Sequence, residues 1–121
     1  MREGTNVTMP YQPAKLLRLH LTEQDRHQGK PLHEAIVHKC QELKIAGATV
    51  FRGLEGYDDT AEIHRSHILT HDLPILVQIV DTEENIQRLL PVLEEMMDKG
   101  LLAISDVIMV RIQKATRTQD V

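Results

Sequence analysis

Six periodic segments follow one another in this chain, and their order constrains the fold more than any other feature. Four are typical of strands, three because their residues alternate between two faces and one because β-branched and aromatic residues precede glycines. Two repeat apolar residues every three or four positions, as a helix does. The order is strand, helix, strand, strand, helix, strand. The predicted strands are Lys15–Leu21, Ala48–Glu55, Pro74–Asp81 and Val107–Ile112, and the predicted helices run from Pro31 to about Ile45 and from Glu83 to about Lys99.

Both predicted helices have recognisable ends. Pro31 suits a first helical position, and Gly47 follows the first helix, where glycine commonly ends one. Thr82 before two glutamates is a typical helix start, because its hydroxyl caps free amides and the carboxylates face the positive end of the dipole. Pro91 interrupts the second helical pattern without ending it.

This order of elements is that of the double split βαβ unit, so we predict an α+β, ferredoxin-like βαββαβ fold. Its antiparallel sheet of four strands has both helices on one face. The opposite face presents more apolar surface than a monomer normally leaves in water, so we expect another subunit to cover it. Its apolar residues are Leu16, Leu76, Val80, Val107 and Met109.

The chain has 121 residues, enough for a single domain. We predict a flexible leader over residues 1–13, one folded domain over 14–113 and a tail over 114–121. A net charge of −4 argues against a nucleic-acid partner. The lone Cys40 and the lack of any apolar run near 18 residues predict a cytoplasmic protein that does not insert into a membrane.

Three connections converge at one end of the predicted sheet, namely Glu23–Lys30, Tyr57–Asp72 and Gly100–Asp106. Glycines, the free amides of a helix start and the Lys30 ammonium could together hold a phosphate there. The signal is weak alone, because a Gly29–Lys30–Pro31 run is more often an ordinary turn into a helix. The connection after Tyr57 is long for a compact domain, and we expect residues 58–70 to be mobile without ligand.

Other chemistry has weaker support in the sequence. His64, His67 and His71 could bind a metal ion together with Asp72 if the loop folded back, but loop histidines are usually bystanders. Acid–base catalysis needs a carboxyl group in a desolvated setting, whereas neighbouring carboxylates such as Asp58 and Asp59 are expected in polar loops as solvated surface charges. We therefore predict a binding protein and not an enzyme.

Four stretches of the chain resemble one family. The runs G-A-T-V-F-R-G-L-E-G-Y, E-I-H, D-L-P-I-L-V-Q-I-V-D and L-P-V-L-E-E-M closely resemble the PII-like family called domain of unknown function 190. That family is similar in fold to the nitrogen-regulatory PII proteins, trimers that bind adenine nucleotides between subunits. The resemblance implies a homotrimer in which the connection after Tyr57 serves as the PII T-loop and signals nucleotide state to an unidentified regulated protein. A membrane transporter or channel is one candidate for that partner.

The resemblance also implies site residues. Gly56 and Tyr57 match the glycine-rich turn at the T-loop base, whereas Asp58 replaces a glycine and could repel phosphate or help to hold Mg²⁺. Gly100 matches the start of the PII phosphate loop, but the later glycines and the lysine are missing, which favours AMP or ADP over ATP. The expected nucleotide-binding residues are Lys30, Gly56, Tyr57, Ala103, Ser105 and Arg111. The alternative is a CutA-like trimer that binds divalent metal through the loop histidines.

Overall fold

The computed structural model describes residues 7–8, 11–57, 63–65 and 72–113, with the backbone alone for 7–8, 63–65 and 113. The main elements follow the predicted order. They are β1 (Gln12–Thr22), α1 (Leu32–Glu42), β2 (Gly47–Arg52), β3 (Pro74–Asp81), α2 (Glu83–Met96) and β4 (Leu101–Met109). Short strands also pair as Val7–Thr8 with Ile112–Gln113, Arg26–His27 with Lys30–Pro31, and Glu55–Tyr57 with Ile63–Arg65.

The four main strands form one sheet in the order β2-β3-β1-β4, and every neighbouring pair is antiparallel. This is the strand order of a ferredoxin-like fold, with the first and third strands in the centre. The register pairs Leu19 of β1 with Val77 of β3 and with Leu102 of β4. The predicted α+β architecture is therefore confirmed.

The core lies between one face of this sheet and the two helices. Alternate residues of β1 and β3 point into it, as expected from the period of two in a strand. Ile36 of α1 and Leu89 of α2 are fully buried against them. The buried strand residues are Leu17, Leu19, Leu21, Ile75, Val77 and Ile79.

The helix ends largely follow the sequence. The Thr82 side chain accepts a hydrogen bond from the Asn85 N–H at 3.3 Å, and α2 continues across Pro91 to Met96. α1 ends at Glu42, three residues before the predicted end, since Lys44 has a φ of 59° and turns the chain toward β2. Neither described helix is long and apolar enough to span a bilayer.

The opposite face of the sheet, which we call the open face, carries the apolar residues expected there. Strand register places Leu16 beside Val80, His20 beside Leu76, and Ala14 beside Val107. No described helix packs on this face, because both helices contribute to the core on the other side. The assignment of the five apolar residues to this face is confirmed.

The predicted position of the last strand is wrong. We expected a connection over Gly100–Asp106 and a strand over Val107–Ile112, but β4 begins at Leu101 and pairs with β1 as far as Met109. The reason is non-local. Leu101 to Ser105 lie opposite His20 to Leu16, so β1 supplies backbone partners that the local pattern does not reveal. Asp106 consequently lies opposite Lys15, at the other end of the sheet from Gly100.

The long connection after β2 contains a pair of short strands. Glu55–Tyr57 and Ile63–Arg65 pair as a short antiparallel ladder at its base. The remaining residues of this connection that we expected to be mobile, 58–62 and 66–70, lie outside the described residues, so that expectation stays a prediction.

Candidate functional site

Four chain segments meet at the end of the sheet where β1 and β2 finish and β3 and β4 begin. The Glu23 N–H donates to the Leu73 carbonyl at 2.9 Å, and the Gly53 N–H donates to the Pro74 carbonyl at 2.8 Å. A Cβ on Gly53 would lie 2.9 Å from Cγ of Pro74, so this close approach requires glycine. The base of the long connection is thus held against the start of β3.

Two adjoining cavities open at this end, with volumes of about 310 Å³ and about 470 Å³. Both are bounded by His20, Leu21, Thr22 and Tyr57, and we call them together the strand-end cleft. Pockets of roughly 300–1,000 Å³ suit small molecules. The first also includes Phe51, Arg52, Gly53, Glu55, Gly56, Pro74, Ile75 and Leu76, and the second includes Asp25, Lys99, Gly100 and Leu101.

The walls of the cleft are apolar and its rim is charged. Tyr57 and Leu101 are exposed by 77% and 66%, which leaves flat apolar surface available to a ligand. The Arg52 guanidinium reaches Glu23 through Nε to Oε1 at 3.2 Å and Nη2 to Oε2 at 3.3 Å. Because such an exposed pair contributes only about 0–1 kcal/mol, an anionic ligand could compete for the guanidinium.

Lys99 supplies a second positive charge at the cleft. It precedes Gly100, whose φ of 143° starts β4, and it makes no ion pair with any residue that the structure describes. Asp25 lies at the same rim, but its Oδ2 accepts the Thr22 N–H at 2.9 Å and its carbonyl accepts the Leu32 N–H at 2.8 Å. Asp25 therefore orders the turn that leads into α1.

Of the six residues that the sequence singled out, two line the cleft of a single subunit. Gly56 and Tyr57 lie on the short strand at the base of the long connection. Lys30 lies in the hairpin before α1, where it borders a different cavity together with His27 and Glu34.

The other three residues lie along or beyond β4. Ala103 and Ser105 are within that strand, opposite Arg18 and Leu16 of β1. Arg111 follows it and is exposed. Within one chain, these positions do not line the strand-end cleft.

Sequence reasoning missed Arg52, Lys99 and His20 as residues of the cleft. Arg52 and Lys99 each directly precede a glycine at a strand end, which is the signal that could have suggested them. These three residues come together at the cleft only through strand pairing, because β1 brings His20 between the ends of β3 and β4.

The described residues hold no group of three or more His, Cys, Asp or Glu side chains arranged for a metal ion. The histidines of the metal alternative are not tested by this finding. His67 and His71 lie outside the described residues, and only the backbone of His64 is described.

Solved structures with this fold include PII-like proteins. CPII from Thiomonas intermedia K12, a nitrogen regulatory PII-like protein bound to ADP, AMP and bicarbonate, has a TM-score of 0.61 at 19% identity, covering 84% of this chain and 92% of CPII. A putative PII-like signaling protein from Thermus thermophilus has a TM-score of 0.54 at 17% identity, covering 86% and 94%. In fold, the chain is thus a PII-like domain.

Closer relatives identify the family. The model of the family DUF190, described as Uncharacterized ACR, matches residues 14–109. The UPF0166 protein of Aquifex aeolicus is 40% identical over 97 residues, which is 77% of this chain and 90% of that protein. A UPF0166 protein of Methanocaldococcus jannaschii is 38% identical over 96 residues, covering 77% and 88%. The chain belongs to the DUF190 family, as its sequence motifs predicted.

Proposed function

We propose that this protein is a homotrimeric PII-like regulator that binds AMP or ADP in clefts between subunits and signals occupancy through the connection after Tyr57. The strand-end cleft is the observation that carries the proposal, because it lies at the base of that connection. The binding of ADP and AMP by CPII, a protein of the same fold, supports the choice of ligand. No catalytic step is assigned to the protein.

The cleft suits the two chemical parts of a nucleotide. An adenine ring can stack on the exposed Tyr57 side chain and cover Leu101, because flat aromatic surfaces are desolvated together. The phosphates then bind the positive groups at the rim of the cleft. Arg52 offers paired N–H donors there, and Lys99 offers a point charge. Two cations and few glycine amides suit one or two phosphates better than three.

Assembly follows from exposed apolar surface. Besides the open face, β4 is an edge strand whose Ile104 and Ile108 are exposed by 48% and 64%. An uncovered apolar edge strand favours association with another chain. A neighbouring subunit packed there can carry Ala103, Ser105, Arg111 and Lys30 toward the cleft, which is how we propose that these residues complete it.

Ligand binding and assembly are tested by two independent measurements. Light scattering at micromolar concentration should give the mass of three chains. Calorimetric titration with AMP, ADP, ATP, cyclic AMP, Mg²⁺, Zn²⁺ and Cu²⁺ should show AMP or ADP binding below millimolar concentration, with ATP weaker. A monomeric mass contradicts the trimer, and the absence of AMP and ADP binding contradicts the ligand.

Two matched variants test the site. Arg52→Met removes the guanidinium and keeps the aliphatic stem, so AMP affinity should fall at least about tenfold, the equivalent of one charged hydrogen bond. Arg88→Met is the control, because the Arg88 guanidinium contacts Asn85 at 2.9 Å on the exposed side of α2, away from the cleft. Equal affinities of the two variants would place the phosphates elsewhere.

The same titration contradicts the nucleotide proposal if the protein binds a metal ion and no nucleotide. Tight Zn²⁺ or Cu²⁺ binding that His67→Ala abolishes, without nucleotide binding, would establish the CutA-like alternative. If AMP or ADP binds, the regulated partner can be sought by comparing proteins retained by the nucleotide-bound and nucleotide-free forms. Membrane transporters and channels are the first candidates to examine.

A further inference from the structure

Arg18 is the one permanently charged side chain on the open face among the described residues. Strand register defines the row in which it lies, with Gln78 of β3 on one side and Ala103 of β4 on the other. Thr49 of β2 follows next to Gln78. The neighbouring rows are largely apolar, with Leu16 beside Val80 in the row toward the start of β1. A cation therefore lies in the middle of an apolar sheet face.

In contrast to Arg26 and Arg88, Arg18 makes no hydrogen bond or ion pair within the described part of the chain. Arg26 donates to the Glu23 carbonyl at 2.9 Å, and Arg88 donates to the Asn85 side chain at 2.9 Å. Arg18 is nevertheless half-buried by the side chains around it. Its five N–H donors are left to solvent or to a group outside the described part of the chain.

Covering the open face makes this arrangement costly unless an anion is supplied. An unpaired guanidinium transferred out of water loses its hydration with no compensation. If three open faces pack around a common axis, three copies of Arg18 approach one another and repel. The open face itself carries no carboxylate among the described residues, so packing this face on copies of itself provides no counter-charge.

We propose that Arg18 from each of three subunits binds one inorganic oxyanion, such as phosphate or sulfate, on the threefold axis. This inference rests on the proposed trimer, since the site is incomplete in one chain. The planar guanidinium matches the paired oxygens of an oxyanion, and the Gln78 amide on the neighbouring strand can donate to a remaining oxygen. The anion removes the repulsion between subunits and thereby stabilises the assembly.

The test uses the whole chain in a buffer that contains only chloride as anion. Added phosphate or sulfate should raise the melting temperature by several degrees and saturate, and calorimetry should give one anion per three chains. Arg18→Met should lose at least tenfold in phosphate affinity, Arg18→Lys should lose less, and Arg88→Met should behave as the unmodified protein. Light scattering on every variant and a parallel AMP titration separate this result from the proposed function.

Several outcomes would overturn the inference. If the trimer binds AMP but neither phosphate nor sulfate, Arg18 holds no oxyanion and the site is refuted. Phosphate that binds once per chain and is lost in Arg52→Met belongs to the strand-end cleft. If Arg18→Met does not assemble, equal phosphate affinity of Arg18→Lys and the unmodified protein refutes the site. A monomeric unmodified protein refutes the proposed trimer and this site together, whereas loss of AMP binding alone leaves the site intact.

Discussion

Replacing Asp81 by alanine removes a buried carboxylate that joins three parts of the fold. Asp81 is the last residue of β3 and is only 3% exposed. Its Oδ2 accepts the Ala46 N–H at 2.9 Å, which ties down the turn between α1 and β2. Its Oδ1 accepts the Thr82 N–H at 2.6 Å and the Asn85 side-chain amide at 3.1 Å, at the first turn of α2.

The expected loss in the free energy of unfolding follows from these three contacts. A hydrogen bond to a charged group contributes about 1.5–3 kcal/mol, and a buried N–H left without a partner costs about 1–3 kcal/mol. Because the contacts share one carboxylate, their contributions do not add, and we expect Asp81→Ala to cost about 3–4 kcal/mol in total. Unfolding entropy of about 2.1 cal/mol/K per residue then converts this loss to a fall of roughly 12–16 °C in melting temperature.

Asp81→Asn distinguishes the hydrogen bond from Ala46 from those made by Thr82 and Asn85. Its amide oxygen can still accept from Thr82 and Asn85, whereas its NH₂ group faces the Ala46 N–H. This variant should lose about half as much as Asp81→Ala, roughly 6–8 °C by the same conversion. Asp98→Ala is the control, because Asp98 is exposed and such surface changes usually stay within about 0.5 kcal/mol.

The assay is thermal unfolding by circular dichroism, with all variants at one protein concentration because assembly makes the melting temperature depend on it. Urea unfolding gives the free energies for comparison. If Asp81→Ala melts within about 3 °C of the unmodified protein, the carboxylate contributes no more than a surface group, and the reasoning from its contacts is refuted.

Further predictions concern three single positions. Burial raises the pKa of the Cys40 thiol to about 11, so native Cys40 should react with a thiol reagent at pH 8 at least about 100-fold more slowly than in urea. Since the folded pKa lies above the unfolded value, stability should fall between about pH 9 and 11, and a flat profile would contradict this. Gly100→Ala should lower the melting temperature by several degrees, because a φ of 143° is strained for any residue that carries a Cβ. Pro91→Ala should raise the melting temperature, since an interior helical proline costs about 3 kcal/mol, and a decrease would show that α2 packing requires it.

Local patterns predicted the part of this fold that depends on local spacing. The alternation of Leu17, Leu19 and Leu21 identifies a strand with one buried face wherever that strand pairs. The Thr82 cap and the glutamates after it likewise depend only on neighbouring residues. Such features led from the sequence to the order of elements and to the open face, whereas the two cleft residues Gly56 and Tyr57 were implied by the family resemblance.

Other features were decided by the tertiary structure alone. β4 starts at Leu101 because β1 lies beside it, and no spacing within Leu101–Ser105 reveals that partner. Arg52 and Lys99 are far apart in the chain, yet both border the strand-end cleft because the ends of β2 and β4 flank β1 and β3 at the same end of the sheet. The sequence by itself determined which residues β1, β3 and the two helices bury, since periodicity is a local property. Only the folded sheet decided which charges share the cleft, because that depends on pairing between distant strands.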